Sequence, residues 1–295
     1  MKKIKKKQRL AVEWPTLSLI LLCYATWFAA LFWMPLPLGI MVAGTAIALH
    51  ASLQHEAIHG HPFKSLWLND LLVWPPLTLI VPYARFKSTH LAHHHDELIT
   101  DPYDDPESNY LDAGVWEKLP RAMQILLRVN NTIAGRLVFG PFIGTISFAA
   151  CEWRTRNRKV AQGWLWHLPA VTVVLSIVAV SPMPIWAYVL AAYLGMSILK
   201  LRTFLEHQAH ARASGRSVIV ENAGFLGLLF LNNNLHVVHH MHPRVAWYAL
   251  PALFRSRRAH YLRRNGGYYF ASYTEVIRRY LWTAKDTVAH PLWRR

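Results

Sequence analysis

Histidine is the residue that this chain uses unusually. It occurs 17 times in 295 residues, and thirteen of these fall in four short clusters. The first is His55 and His59, with His61 just beyond; the second is His90, His93, His94 and His95. The third is His207 and His210, and the fourth is His236, His239, His240 and His242. On a helix, residues three and four apart share a face, so His55 and His59 can hold one metal ion together. His90, His93 and His94 have the i, i+3, i+4 spacing, and His236, His239 and His240 repeat it. Adjacent helical residues point about 100° apart, so His93 and His94 can reach different ions. Neutral imidazole suits zinc, copper and iron.

The stretch His55-Glu56-Ala57-Ile58-His59 also fits the H-E-x-x-H pattern of zinc peptidases. That chemistry needs one zinc, with Glu56 as the base, and leaves the other clusters idle. Eight or nine imidazoles exceed the needs of one tetrahedral zinc and suit two ions. Glu56 is then read as a carboxylate that orients a ligand imidazole. The two cysteines, Cys23 and Cys151, suggest neither a disulfide framework nor a thiolate site.

The elements that position these clusters are apolar spans. The chain is 53% hydrophobic yet carries 32 Lys and Arg against 16 Asp and Glu. That combination points to an integral membrane protein with a basic cytoplasmic face, and away from nucleic-acid binding. No Asp, Glu, Lys or Arg interrupts Trp14 to Gln54. Pro35 and Pro37 divide this run into spans near Trp14–Met34 and Leu38–Gln54, which form a hairpin. A second hairpin is expected near Trp164–Val180 and Ile185–Leu199. Arg154, Arg156, Arg158 and Lys159 precede it, and Lys200 and Arg202 follow it. Six Lys and Arg precede the first span, so both termini are expected in the cytoplasm of a multi-pass cell-membrane protein.

Leu66–Tyr83 and Ile133–Cys151 are also apolar, but Asp70, Pro75 and Pro76 break the first, and Arg136 and Pro141 the second. Both are read as interfacial or re-entrant. Had Leu66–Tyr83 crossed, His55 and His90 would lie on opposite faces. The expected fold is an all-α integral membrane protein. It has four transmembrane helices in two hairpins and a cytoplasmic helical cap holding a histidine-rich di-metal site. Residues 1–13 are a basic tail, 14–255 the membrane domain, and 256–295 a basic segment packed on the cap.

The ordered boxes HEAIH at 55–59, HLAHH at 90–94 and HVVHH at 236–240 resemble those of the membrane-bound fatty acid desaturase and hydroxylase superfamily. The intervening hairpin, TDPYDDPES after the second box and NNNLHVVHHMHPRVAWYALP around the last are also similar. The resemblance covers about residues 15–255. It implies two iron ions, O2 as co-substrate and attack on an unactivated C–H bond of a lipid. The leading expectation is fatty-acyl desaturation. A lipid or carotenoid hydroxylase or ketolase with the same site is the alternative, and a zinc peptidase or metal transporter a distant one. The implied ligands are His55, His59, His90, His93, His94, His236, His239 and His240, with His207, in its LEH context, as a further one.

The fused-cytochrome mark HPGG is absent, so a separate donor such as a ferredoxin or cytochrome is expected. The acidic loop Asp101, Asp104, Asp105 and Glu107 is read as a solvated turn or as support for the second-box histidines, with Asp101 and Asp105 foremost; of Asn232, Asn233 and Asn234, one holds a metal-bound water or the three form a helix cap. His61, His95, His210 and His242 lie beyond the minimal boxes and are assigned supporting or structural roles.

Overall fold

The computed structural model describes residues 12–94, 97–155 and 157–293. The basic tail up to residue 11, Arg156 and His95 lie outside the described residues. The chain is mostly helical. The first apolar run folds as α1 (Trp14–Phe32) and α2 (Leu36–Ile58), an antiparallel hairpin turned at Pro35. Prolines at the starts of both helices cost no hydrogen bond, because the first-turn N–H groups have no helical partner. The later run folds as α8 (Arg158–Ala179) and α9 (Ile185–Thr203). α8 begins six residues before the expected span, capped by Asn157, whose side chain accepts from Val160 N.

α2 and α9 cross at glycines. A Cβ on Gly195 would lie 2.8 Å from Gly44 O and 2.8 Å from Ile47 Cγ2. A Cβ on Gly44 would lie 3.0 Å from Ala191 O. Such close backbone approach is how helices associate where lipid removes the hydrophobic drive between them. Trp27, Ile47, Tyr188 and Ala191 complete this buried seam. Gly195→Leu therefore forces the hairpins apart. We expect about 1–3 kcal/mol of destabilisation, read as a lowered melting temperature in detergent.

Between the hairpins, residues 66–82 form only the eight-residue α3 (Leu66–Val73) and then an irregular loop. Its carbonyls are satisfied by side chains of the long helices. Tyr24 Oη donates to Leu72 O at 2.8 Å, Gln54 Nε2 to Val73 O at 2.9 Å and Tyr188 Oη to Leu77 O at 2.8 Å. His167 Nε2 lies 3.1 Å from Leu79 O. Irregular backbone among membrane helices persists only where protein supplies such partners.

Among the described residues five helices, one more than the expected four spans, are long and apolar enough to cross a membrane. The additional one is α7 (Ile133–Thr155), which runs continuously through Pro141. Its first turn is tied to the C-terminal segment, Ala134 N donating to Leu281 O at 3.1 Å. Near its other end Glu152 pairs with Arg85 of α4 (Tyr83–His93), 2.9 Å from Arg85 Nε. Tyr193 of α9 donates to Val138 O in the second turn of α7.

The remaining elements form a head of short helices and loops. They are α5 (Ala113–Lys118), α6 (Arg121–Asn130), α10 (Phe225–Leu229), α11 (His236–Met241), α12 (Leu250–Ser256), α13 (Arg258–Arg264) and α14 (Tyr273–Tyr280). The all-α expectation is corrected in one respect. β1 (Ile219–Asn222) pairs in parallel with β2 (Tyr269–Ser272), Val220 opposite Phe270. Both strands are short and rich in β-branched or aromatic residues, and some fifty residues separate them, so no local period reveals the pairing. At the other end of the chain, Glu13 N donates to Pro62 O at 3.0 Å. The start of α1 thus lies beside the end of α2.

Candidate metal centre

Four elements deliver the histidines. α2 carries His55 in its last turn, with His59 at its C-cap; α4 carries His90 and His93, with His94 at its C-cap. His207 follows α9, and α11 presents His236, His239 and His240. The nine predicted imidazoles gather into two groups. One nitrogen each from His55, His59, His90, His94 and His239 lie within 4.8 Å of one another. So do nitrogens from His93, His207, His236 and His240. Neighbours in sequence diverge as the helical geometry requires, with His93 and His94, and His239 and His240, in different groups. The groups abut: the rings of His94 and His240 stack with centroids 4.4 Å apart.

The spacing within each group is that of a coordination shell. Nε2 of His90 lies 3.1 Å from Nε2 of His59 and 3.0 Å from Nε2 of His94, and His239 Nε2 lies 3.2 Å from His94 Nε2. In the second group His207 Nε2 lies 2.9 Å from His93 Nε2 and 3.0 Å from His236 Nε2, which is 3.1 Å from His240 Nε2. Nitrogens bound to one ion at ~2.1 Å and a right angle apart are separated by about 3.0 Å. Hydrogen bonding among the rings does not explain the arrangement, because one N–H cannot serve several converging acceptors. His55 Nε2 is buried with no hydrogen-bond partner at all. An ion in each group would satisfy all of these atoms.

The opposite ring nitrogens are held from behind. His93 Nδ1 lies 2.8 Å from Asp105 Oδ1, and His90 Nδ1 lies 3.0 Å from Glu107 Oε1. His236 Nδ1 lies 3.0 Å from Asn233 Oδ1, and Asn233 Nδ2 donates to Glu206 Oε1 at 2.7 Å. His207 Nδ1 lies 3.3 Å from Ser217 Oγ. An acceptor at Nδ1 keeps the proton there and leaves the Nε2 lone pair facing inward.

Burial, reinforced by the neighbouring imidazoles, drives the protonation of His59, His94, His207, His236 and His239 well below the ordinary histidine range. They are therefore in the neutral, ligating form. At His93 burial acts in the same direction, but Glu107 and Asp105 outweigh it and raise the imidazole to about 9, so an ion bound at its Nε2 would displace a proton there. Burial favours the neutral acid at Glu107, yet the charges of His93 and His90 hold it below the usual carboxylate range. At Glu206 burial prevails, and its carboxyl is shifted upward.

The supporting residues divide. Asp105 and Asn233 meet ligand-type imidazoles; the others expected to do so do not. Glu56 is corrected: it accepts from Trp247 N at 2.9 Å and lies 3.8 Å from His61 Nε2, touching no imidazole of either group. Asp101 caps its own loop, accepting from Tyr103 N and Asp104 N. Asn232 Nδ2 donates to Trp247 O, and Asn234 Nδ2 to Val220 O. His61 is buried, with Nδ1 2.6 Å from Glu13 Oε2. His210 Nδ1 accepts from Arg212 N, and His242 packs against Tyr261. Sequence reasoning misses Glu206 and Ser217 and includes Glu107 only as a member of the acidic loop, behind Asp101 and Asp105. For Glu206 the available signal was its place beside His207.

The family model for fatty acid desaturases matches residues 31–273. No curated protein matches the chain. The matched region contains all nine converging histidines and the apolar helices that carry them, and the chain belongs to the fatty acid desaturase family, membrane oxidoreductases that act on lipids.

Proposed function

We propose that this protein desaturates a fatty-acyl chain, using O2 and two electrons from a separate donor protein. The observation that carries the reading is the convergence of nine imidazoles into two abutting groups. In it His55, His59, His90, His94 and His239 hold one iron, and His93, His207, His236 and His240 the other. Iron bound there supplies the reduction of O2 to an oxidant able to take hydrogen from an unactivated C–H bond. The protein's own groups do the rest. Asp105, Glu107, Asn233 and Ser217 fix the ring orientations, and the apolar helices exclude water and admit the acyl chain from lipid. In the balance, two hydrogens leave adjacent carbons, and they, the donor's two electrons and two protons convert O2 to two waters.

The topology in this reading has four spans, α1, α2, α8 and α9, with both termini and the head in the cytoplasm of a cell-membrane protein. Two contacts support an interfacial α7: Leu281 at one end and Arg85 at the other both belong to the head side. The bond from Glu13 N to Pro62 O supports a start of α1 on that side too in this reading. Exposed arginines of α13 and α14, among them Arg263, Arg264 and Arg278, and Arg257 between α12 and α13, suit an acidic donor. The described part of the basic stretch, 256–293, then packs on the head, with Lys285 Nζ donating to His207 O at 2.9 Å.

Expression in a heterologous bacterium, with lipid profiling by mass spectrometry, tests the proposal. Acyl chains two hydrogens lighter are expected with the wild type and not with His93→Ala. Products heavier by one oxygen would replace desaturation by hydroxylation. Equal product from the variant would remove the histidines from the chemistry.

A further inference from the structure

Beside the last histidine helix lies a cavity of about 270 Å³ that the metal centre does not use. Its lining includes Gly224, Gly227, Asn232, Asn234, Leu235 and Arg255. Small-molecule sites of this kind are concave, with a few placed polar groups. Asn234 is 4% exposed. Its Nδ2 donates to Val220 O at 2.7 Å, which fixes the amide, and its Oδ1 is buried without a partner. Asn232 Nδ2 is likewise committed, to Trp247 O at 3.0 Å. A Cβ on Gly227 would lie 3.4 Å from Asn232 Oδ1 and 3.7 Å from Asn234 Oδ1, so both oxygens border the space this glycine leaves open.

The backbone is set for this arrangement at some cost. Leu231 and Asn232 both have positive φ, 51° and 55°, a conformation that non-glycine residues hold only where surroundings impose it. Across the cavity, Arg255 is exposed and has no carboxylate partner among the described residues. Glu221, the acid in the lining, is already bound by Arg258 at 2.6 Å and Tyr269 Oη at 2.8 Å.

The cavity thus offers a buried amide oxygen without a partner on Asn234, a second amide oxygen on Asn232 bordering the same space, and an exposed guanidinium on Arg255. A phosphate joined to a glycerol carrying free hydroxyls meets all three. The flanking residues indicate where it comes from. Phe225 and Leu228, on the same short helix as Gly227, are 68% and 43% exposed, an apolar border of the kind that acyl chains cover. We propose that this cavity seats the headgroup of an anionic glycerophospholipid, its phosphate on Arg255 and its hydroxyls on Asn232 and Asn234. Asn233, between those two, holds His236, so the bound headgroup also braces the turn behind that histidine. The site stands whether or not this lipid is the substrate.

Native mass spectrometry of the full chain in detergent tests it, with dioleoylphosphatidylglycerol and dioleoylphosphatidylcholine as probes. The glycerol lipid should be retained about tenfold more strongly, and that preference should be lost in both Arg255→Gln and Gly227→Val. Circular dichroism confirms that each variant is folded. Equal retention of the two lipids, or an undiminished preference in folded Gly227→Val, would overturn the site. Free glycerol phosphate stabilising the protein as strongly as the lipid would overturn the lipid source.

Discussion

On the proposed di-iron reading, replacing His207 and His236 together by alanine should halve the iron content, from two ions per chain to one, and abolish turnover. The two histidines are half of the second group, whose other members are His93 and His240. Two remaining imidazoles are too few for a stable site, since bound ions normally need at least three protein ligands. The first group keeps all five of its imidazoles and hence its ion. Turnover should fall by more than about a hundredfold, beyond the effect usual for loss of a supporting residue. Elemental analysis of purified protein gives the stoichiometry, and acyl-product formation gives the activity. The retained ion doubles as a folding control. A single metal per chain in the wild type, or activity in the double variant within about tenfold of it, would defeat the two-ion reading. A one-zinc peptidase using His55, Glu56 and His59 would lose neither its metal nor its activity in this variant.

The parts of this centre legible in the sequence are those governed by helical period. The spacing of His90, His93 and His94, and its repetition at His236, His239 and His240, dictates which rings share a face. The structure separates His93 from His94 as that spacing allows. Glu56 shows the limit of the same rule. It is adjacent to His55, so it points about 100° away from that ring. It therefore meets Trp247, from a turn almost two hundred residues later, rather than an imidazole. The acidic loop was legible as a source of support, but not which acid would serve. Asp101 spends its carboxylate on its own turn, while Asp105 and Glu107 reach α4, a choice made by loop geometry rather than composition. The same holds at Asn232–Asn234, where left-handed backbone at Leu231 and Asn232 decides that the middle amide faces His236. α7 is long and apolar enough to cross a membrane, a continuity that Arg136 and Pro141 hide in the sequence.

Asp105→Asn should weaken iron binding in the second group by about 10–100-fold, while Glu56→Gln leaves both irons in place. Asp105 is 5% exposed and fully engaged. Its Oδ1 faces His93 Nδ1 at 2.8 Å and accepts from Glu107 N at 2.9 Å, and its Oδ2 accepts from Thr100 N at 2.8 Å. An asparagine of the same shape keeps one oxygen but opposes an N–H donor with an NH2 group, so one buried donor loses its acceptor. That loss costs about 1–3 kcal/mol and loosens the loop behind His93. The neutral amide also withdraws the charge that helps fix the His93 tautomer. Glutamine at position 56, by contrast, retains a carbonyl oxygen for Trp247 N, and no imidazole of either group depends on it. Its turnover should stay within about threefold of wild type. Iron titration followed spectroscopically separates the two groups, and product formation completes the comparison. Were Glu56→Gln to eliminate activity while Asp105→Asn left iron affinity unchanged, the roles assigned to these carboxylates would be reversed. The H-E-x-x-H glutamate would then have to act on substrate after all.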